Sequence, residues 1–293
     1  MAGWTLGVIG GSGLYEIEGL QEAAWRRVDS SFGEPSDDLL TGRLGEVTLV
    51  FLPRHGRGHR LPPSAVNARA NIDALKRAGC TDVISLSAVG SLREALSPGD
   101  FVVVDQFIDR TFAREASFFS AGFAAHVSMA EPVCPRLSRL AAQAGRGAGA
   151  RVVEGGCYLA MEGPQFSTKA ESALYRSWGC DVIGMTNMPE AKLAREAELP
   201  YASVAMVTDY DCWRKAFAHV EVTHIQAVLS GNAAKARDLV RRLIQALPPV
   251  REPSPIDTCL DGALITAPSA RDPAMAERLS AVAGRVLAKT QGA

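Results

Sequence analysis

The stretch Tyr201-Ala202-Ser203-Val204-Ala205-Met206-Val207-Thr208-Asp209-Tyr210-Asp211-Cys212-Trp213 decides how this chain is read. Its first seven residues form an apolar run of the length and composition of a buried strand. Two acids follow where that strand should end. In extended chain, residues i and i+2 project to the same side, roughly 6–7 Å apart. Two carboxyls leaving one strand end together are costly unless a ligand or partner group uses them. Each also pushes the other's pKa upward, so one can hold a proton near neutral pH. A protonated acid beside an ionised one would satisfy an edge offering one acceptor and one donor, as N7 and N6 of adenine do. The competing reading is a turn in which Asp211 caps a following helix and Asp209 is solvated.

Outward from this point, strand-like runs alternate with amphipathic stretches, which makes the chain α/β. The runs Leu6–Ile9, Val47–Leu52, Asp82–Leu86, Phe101–Val104, Cys157–Met161 and Asp181–Met185 join Tyr201–Val207 as strands. Ala65–Ala78, Leu137–Gly147, Ala170–Trp178, Glu190–Glu198 and Val222–Leu247 read as helices, the last with Val222, Ile225, Val228 and Leu229 at helical spacing. The Gly/Ala-rich stretch Ala141–Ala150 reads as a loose surface helix end. Four prolines make Leu247–Pro255 the one linker-like segment. A terminal helix is expected over about Pro273–Ala288. The chain thus divides into a main domain over residues 1–250 and a tail over residues 251–293. That tail packs back on the body or on a neighbouring subunit.

The composition, 47% apolar and 22% charged with a formal net charge of −1, is that of an ordinary globular protein. The charge gives no electrostatic case for nucleic acid or an anionic membrane as partner. No apolar run approaches the ~20 residues of a membrane span, and Met1-Ala2-Gly3-Trp4-Thr5 enters a strand without a basic leader. Cys80, Cys134, Cys157, Cys180, Cys212 and Cys259 are scattered with no Cys-x-x-Cys pair. Reduced thiols and a cytoplasmic setting are therefore expected. No His, Cys and acid cluster has metal-ligand spacing, so no metal is expected.

Several other strand ends carry residues suited to an anion. Gly10-Gly11-Ser12-Gly13 follows the first strand, where small residues let backbone N–H groups converge and Ser12 adds a hydroxyl donor. A dinucleotide site would want a third glycine, but Glu16 stands there. A tight structural turn competes with the anion cradle. Arg54-His55-Gly56 lies just past another strand, offering a forked guanidinium and an imidazole as a second donor; the bland alternative is a basic surface loop with Arg57, His59 and Arg60. Ser87-Ala88-Val89-Gly90-Ser91 and Met185-Thr186 end two more strands. Open α/β sheets place ligands at such ends. With no Walker pattern, a free phosphate fits better than a nucleoside triphosphate. In Met161-Glu162-Gly163-Pro164-Gln165-Phe166-Ser167, Phe166 could stack on a base and Ser167 bond its edge; alternatively Phe166 is core and Ser167 a helix cap. His126, His219 and His224 read as packed or solvated residues.

In their order along the chain, these blocks carry a resemblance. They are joined by Gly90-Ser91-Leu92-Arg93-Glu94, Asp105-Gln106-Phe107-Ile108-Asp109-Arg110-Thr111, Met129-Ala130-Glu131-Pro132 and Met185-Thr186-Asn187-Met188-Pro189-Glu190. Over about residues 5–240 the chain resembles the S-methyl-5′-thioadenosine phosphorylases, trimeric members of the purine nucleoside phosphorylase superfamily. The resemblance implies a single-domain α/β fold with a central twisted mixed β-sheet flanked by helices. It implies phosphorolysis of 5′-methylthioadenosine with no cofactor, inorganic phosphate being a co-substrate. Phosphate would be held by Ser12, Arg54, His55, the Ala88 backbone and Thr186. The ribose would lie against Met185, and adenine against Phe166 and Ser167, with catalytic Asp209 at N7 and Asp211 at N6. Val222 and Ile225 would line the methylthio pocket, with His126 donated by the next subunit of a homotrimer.

The chain departs from the family at Gln226, where an apolar residue is usual; a polar group there could admit 5′-hydroxyl substrates, or it points away. Beyond about residue 250 the match is loose, and Leu264 or Ile265 is the candidate to close over the 5′ pocket. The alternative activity is broader, taking adenosine or 5′-methylthioinosine. A 6-oxopurine site, however, usually has an asparagine in place of one acid. A hydrolytic nucleosidase has less use for the Arg54-His55 end, and a purine-sensing protein would not turn over with phosphate.

Overall fold

The computed structural model describes residues 3–11, 13–214 and 222–290, without the side chains at 222–227, 229 and 290. Its eleven described strands form one mixed sheet pivoting on the long strand β5 (Asp82–Ser91). The first half of β5 pairs in parallel with β1 (Thr5–Gly10), from Leu6 opposite Asp82 to Ile9 opposite Ser85. β1 pairs in parallel with β4 (Val47–Pro53), which is followed by the antiparallel strands β3 (Leu39–Leu44) and β2 (Gln21–Arg26). The far end of β5 exchanges β1 for a new antiparallel neighbour, β10 (Val182–Gly184), at Gly90 and Ser91. From β10 the sheet continues in parallel through β9 (Cys157–Met161) to β7 (Gln106–Arg110). On its other side β5 runs beside β11 (Tyr201–Asp209) for almost its whole length. β11 also pairs with β6 (Phe101–Val104), itself beside β8 (Val152–Glu154). A crevice results where β5 changes partner, the kind of switch point at which open α/β sheets hold ligands.

Alternation along these strands supplies a core on each face. Ile9, Val50, Leu52, Val83 and Val207 point to one side, where α1 (Ala68–Arg77), α4 (Asn187–Glu196) and α7 (Ser280–Thr290) bring Ile72, Leu193 and Val286. Val8, Leu49, Phe51, Ile84 and Val204 point to the other, under α2 (Pro135–Gly147) and α5 (Val222–Ala246) with Leu137 and Leu239. A smaller cluster lies under α3 (Lys169–Ser177), whose Thr168 and Glu171 form a capping box.

The sequence expectations fail in four places. β2, β3, β7 and β8 lack a continuous apolar run; β2, an outer strand, is exposed throughout. Ala141–Ala150 is no loose surface end: Ala141, Ala142 and Ala144 are buried, and a Cβ on Gly145 would lie 2.9 Å from Val152 and 3.3 Å from Leu239. Small residues there let α2 approach α5. The proline-rich segment is tied down, with Trp4 donating to the Pro248 carbonyl and Arg251 paired to Asp82 and Asp257. The terminal helix breaks at Leu279 into α6 (Pro273–Arg278) and α7, and Met275, Leu279 and Val282 belong to the core of α1 and α4.

Candidate active site

A cavity of about 920 Å³ occupies the crevice, a volume in the range of small-molecule sites. Gly11 and Gly13 after β1, Arg54 and His55 after β4, Ala88 on β5, Met185 and Thr186 after β10, and Asp209 and Asp211 at the end of β11 all line it. Ala88 is the exposed position in the otherwise covered second half of β5, a floor rather than a wall. One glycine lets that floor exist: a Cβ on Gly90 would come 2.9 Å from the Asp209 carboxylate. Another, Gly184, leaves room for the Tyr158 hydroxyl, which would sit 2.0 Å from an added Cβ.

At the arginine end, Arg54 is almost wholly buried and most of its donors are spent. Nε reaches Glu190 at 2.9 Å, Nη1 the Leu86 carbonyl at 3.0 Å, and Nη2 both Ser85 at 2.6 Å and Glu190 at 3.2 Å. Tyr201 and Ser85 also donate to Glu190, at 2.8 and 2.6 Å. Burial alone would lower the Arg54 pKa, but the Glu190 charge and hydrogen bonds raise it on balance, so the guanidinium stays charged. Asn187 links the same network to Ser87, Ser203 and Tyr201. Thr186 is different. Its hydroxyl is buried at the cavity wall with no hydrogen-bond partner among the described residues, a state that a bound ligand would relieve. Nδ1 of His55 donates to the Leu61 carbonyl at 2.9 Å, so the second donor expected of this ring is already used.

The acid end differs from two carboxyls on one strand. β11 stops at Asp209, and Asp211 sits in a turn with φ of +51°. Its N–H donates to Asp209 Oδ1 at 2.7 Å, while Thr208 donates to Oδ2 at 2.7 Å. Both acids still reach one cavity, because the turn replaces the strand repeat. Burial pushes the Asp211 carboxyl upward, the Asp209 charge adding to it, though nearby serine hydroxyls and a backbone N–H oppose. Phe166 lines the cavity half-exposed. Ser167 is buried outside the lining, its hydroxyl 3.7 Å from the Met161 sulfur and its carbonyl accepting from Cys212.

Of the remaining candidates, those among the described residues are not gathered at this cavity. His126 donates its N–H to the Ala263 carbonyl, beside the bridge between Ala125 and Leu264, and neither it nor Leu264 nor Ile265 is among the lining residues. Ser12 lies outside the described residues. Val222, Ile225 and Gln226 lie in the first turns of α5, and their side chains are likewise outside the description.

Sequence reasoning missed three supports of this site. Glu190 holds Arg54. Arg114, paired with Glu162 at 3.0 Å, donates to the Met185 and Met188 carbonyls and so braces the turn bearing Thr186. Arg237 of α5 donates to the Gly13 carbonyl at the cavity edge. An acid in a helix as thoroughly buried as α4 requires a cation or donors, and that signal could have exposed Glu190. Among the described residues no three His, Cys, Asp or Glu side chains could hold a metal, and no helix is long and apolar enough to cross a membrane.

Known proteins resemble this chain over nearly its whole length. The pattern described as the Phosphorylase superfamily matches residues 5–245. The S-methyl-5′-thioadenosine phosphorylase of Cereibacter sphaeroides is 62% identical over 284 residues, spanning 96% of this chain and 98% of that protein. A methylthioadenosine phosphorylase from an antarctic soil metagenomic library superposes with a TM-score of 0.91 at 43% identity, covering 96% of this chain and 99% of that one. The methylthioadenosine phosphorylase of Schistosoma mansoni in complex with adenine gives 0.76 at 39% identity, over 83% and 91% of the two chains. The chain belongs to the phosphorylase superfamily and, within it, to the family of the S-methyl-5′-thioadenosine phosphorylases.

Proposed function

We propose that this protein cleaves 5′-methylthioadenosine with inorganic phosphate, giving adenine and 5-methylthioribose 1-phosphate. One observation carries the reading: a single cavity joins an acid-bearing turn to strand ends holding a buried arginine and an unpartnered threonine hydroxyl. Adenine lies at the acid end against Phe166 and Ser167, with Asp209 at N7 and Asp211 at N6. Phosphate lies at the other end, on Ser12, Arg54, His55, the Ala88 backbone and Thr186. The ribose between them rests on Met185, with C1′ facing phosphate.

The glycosidic bond breaks as the sugar gains oxocarbenium character, so electrons move onto the departing base. Asp209 stabilises that charge by donating toward N7, as general acid or strong hydrogen-bond donor. The phosphate oxygens stabilise the sugar cation and then attack C1′, a step assisted by their fixed position. Neither step uses a metal or organic cofactor.

Val222 and Ile225 form the methylthio pocket of a homotrimer in the cytoplasm, completed by His126 of a neighbouring copy. The contact between His126 and residues 263–265 supports delivery of the tail segment to the same place. The testing experiment follows adenine release from 5′-methylthioadenosine with and without phosphate, beside adenosine and 5′-methylthioinosine. Phosphate-dependent release from the methylthio substrate is expected; equal release without phosphate would mean a nucleosidase. The adenosine rate reports on Gln226.

A further inference from the structure

Cys157 opens β9, whose last residue, Met161, lines the cavity; Cys180 lies just before β10. Between these neighbouring strands, the Asp181 N–H donates to the Cys157 carbonyl at 2.9 Å, and the Cys157 N–H to Asp181 Oδ2 at 2.7 Å. Adjacent strands run about 4.8 Å apart and one residue advances ~3.3 Å, which places the Cα atoms of Cys157 and Cys180 roughly 6 Å from each other. Disulfides span about 4.4–6.8 Å between Cα atoms. Both side chains belong to the small cluster under α3, with Leu92, Leu159 and Tyr175, so they leave the sheet on one face. There the Cys180 S–H donates to the Cys157 sulfur. That bond holds the Cys157 thiol below its ordinary range, against burial and the Asp181 and Asp105 charges; it pushes Cys180 up, and burial adds to this. Burial instead raises the thiols of Cys80, Cys212 and Cys259. Cys180 is buried, whereas Cys157 is half-buried. An accessible, activated sulfur is thus backed by a shielded one.

We propose that Cys157 and Cys180 form a site of reversible oxidation, closed to a disulfide by hydroperoxides. The Cys157 thiolate attacks one peroxide oxygen and the O–O bond breaks; the departing hydroxide takes up the proton that Cys157 released and leaves as water. Cys157 is then a sulfenic acid. Cys180 loses its proton and attacks that sulfur, forming the S–S bond and expelling the sulfenic oxygen as a second water. One peroxide is reduced and two thiols are oxidised. The bridge closes the chain between Cys157 and Cys180, a stretch that carries Phe166, Ser167 and all of α3. It anchors the base of the segment on which adenine is proposed to lie. Neither cysteine lines the cavity, so the site does not depend on the reaction assigned there.

The test treats the intact protein with a small excess of hydrogen peroxide, alkylates the remaining thiols and maps the peptides by mass spectrometry. A bridge between Cys157 and Cys180 that dithiothreitol opens is expected. The bridged protein should unfold about 5 °C above the reduced one, because the closed loop restricts the unfolded chain. In Cys180→Ser, which has no second sulfur to attack, dimedone should trap Cys157 as the sulfenic acid. In Cys157→Ser, Cys180 should stay a free thiol. A wild-type map in which both thiols remain alkylatable overturns the inference. So does Cys157 carried to sulfinic acid beside a free Cys180, or a bridge that joins either residue to another cysteine or another chain. Should the variants not fold, the wild-type map decides alone.

Discussion

The two ends of the cavity are built on opposite electrostatic plans. At the arginine end, the Arg54 charge is buried with a counter-charge, Glu190, and a ring of hydroxyls from Ser85 and Tyr201. At the acid end, two carboxyls share a turn, and burial pushes Asp211 toward its neutral form. A matched buried pair gives position: it fixes the guanidinium while adding little net field. Neighbouring acids give chemistry, because one can hold a proton that the other repels. The site therefore divides its work between a rigid, charge-balanced half and a half poised for proton donation.

Changes at the two ends should consequently fail in different ways. Asp209→Asn removes the carboxyl proton that can pass to the leaving base and should cut kcat about a thousandfold, ~4 kcal/mol of barrier. KM for phosphate and the unfolding midpoint should hardly move; a raised phosphate KM would place Asp209 at the wrong end. Glu190→Gln should do the reverse. Stripping the partner from a buried charge costs about 3 kcal/mol, the low end for such pairs because Tyr201 and Ser85 can still donate to the amide oxygen. Urea unfolding should show that loss, and phosphate KM should rise more than kcat falls. An unchanged midpoint would mean that Arg54 does not depend on Glu190.

What could be read from the sequence follows the same division. Buried parallel strands announce themselves as apolar runs, so Tyr201–Val207 and Val47–Leu52 were legible, and with them the strand ends where ligand groups collect. The exposed β2 and half-buried β7 and β8 carry no such run, which is why the outer sheet was invisible. At the site, residues facing the cavity stood in recognisable blocks. Their supports did not: Glu190 meets Arg54 across 136 positions, and Arg114 reaches Glu162 across 48. Pairing at that range depends on how α4 and the loop after β7 fold against the sheet, which local pattern does not encode. The turn at Asp211 stood only as the competing reading, for another reason. A left-handed φ at a non-glycine residue is uncommon, and strand spacing was the natural default.

A further contrast is open to pH. His55 at the arginine end resists protonation when folded, with a pKa of about 4 against an ordinary 6.5. Its folded value is depressed, so the unfolded chain takes up the proton first. Stability is then complete above pH 6.5 and declines as pH falls toward 4, by on the order of 2 kcal/mol at pH 5. Glu196, raised to about 6 by burial, works in the opposite sense over the same window. The diagnostic quantity is therefore the difference between wild type and His55→Gln in denaturant unfolding at pH 7 and pH 5. The wild type should lose that amount relative to the variant. Equal losses would show that His55 charges freely in the folded protein.

The smallest expected effect lies at the acid end and concerns which base is read. Asp211→Asn replaces a buried carboxyl with a neutral amide of the same shape, so repulsion from Asp209 falls and folding should be unharmed. The amide always has an N–H to donate to a 6-oxo group, whereas the Asp211 carboxyl accepts from a 6-amino group through an unprotonated oxygen. The ratio of kcat/KM for 5′-methylthioinosine over 5′-methylthioadenosine should rise about tenfold, near 1.4 kcal/mol. If both substrates slow equally, Asp211 acts only through its N–H contact to Asp209. The acid end would then hold one reading group rather than two.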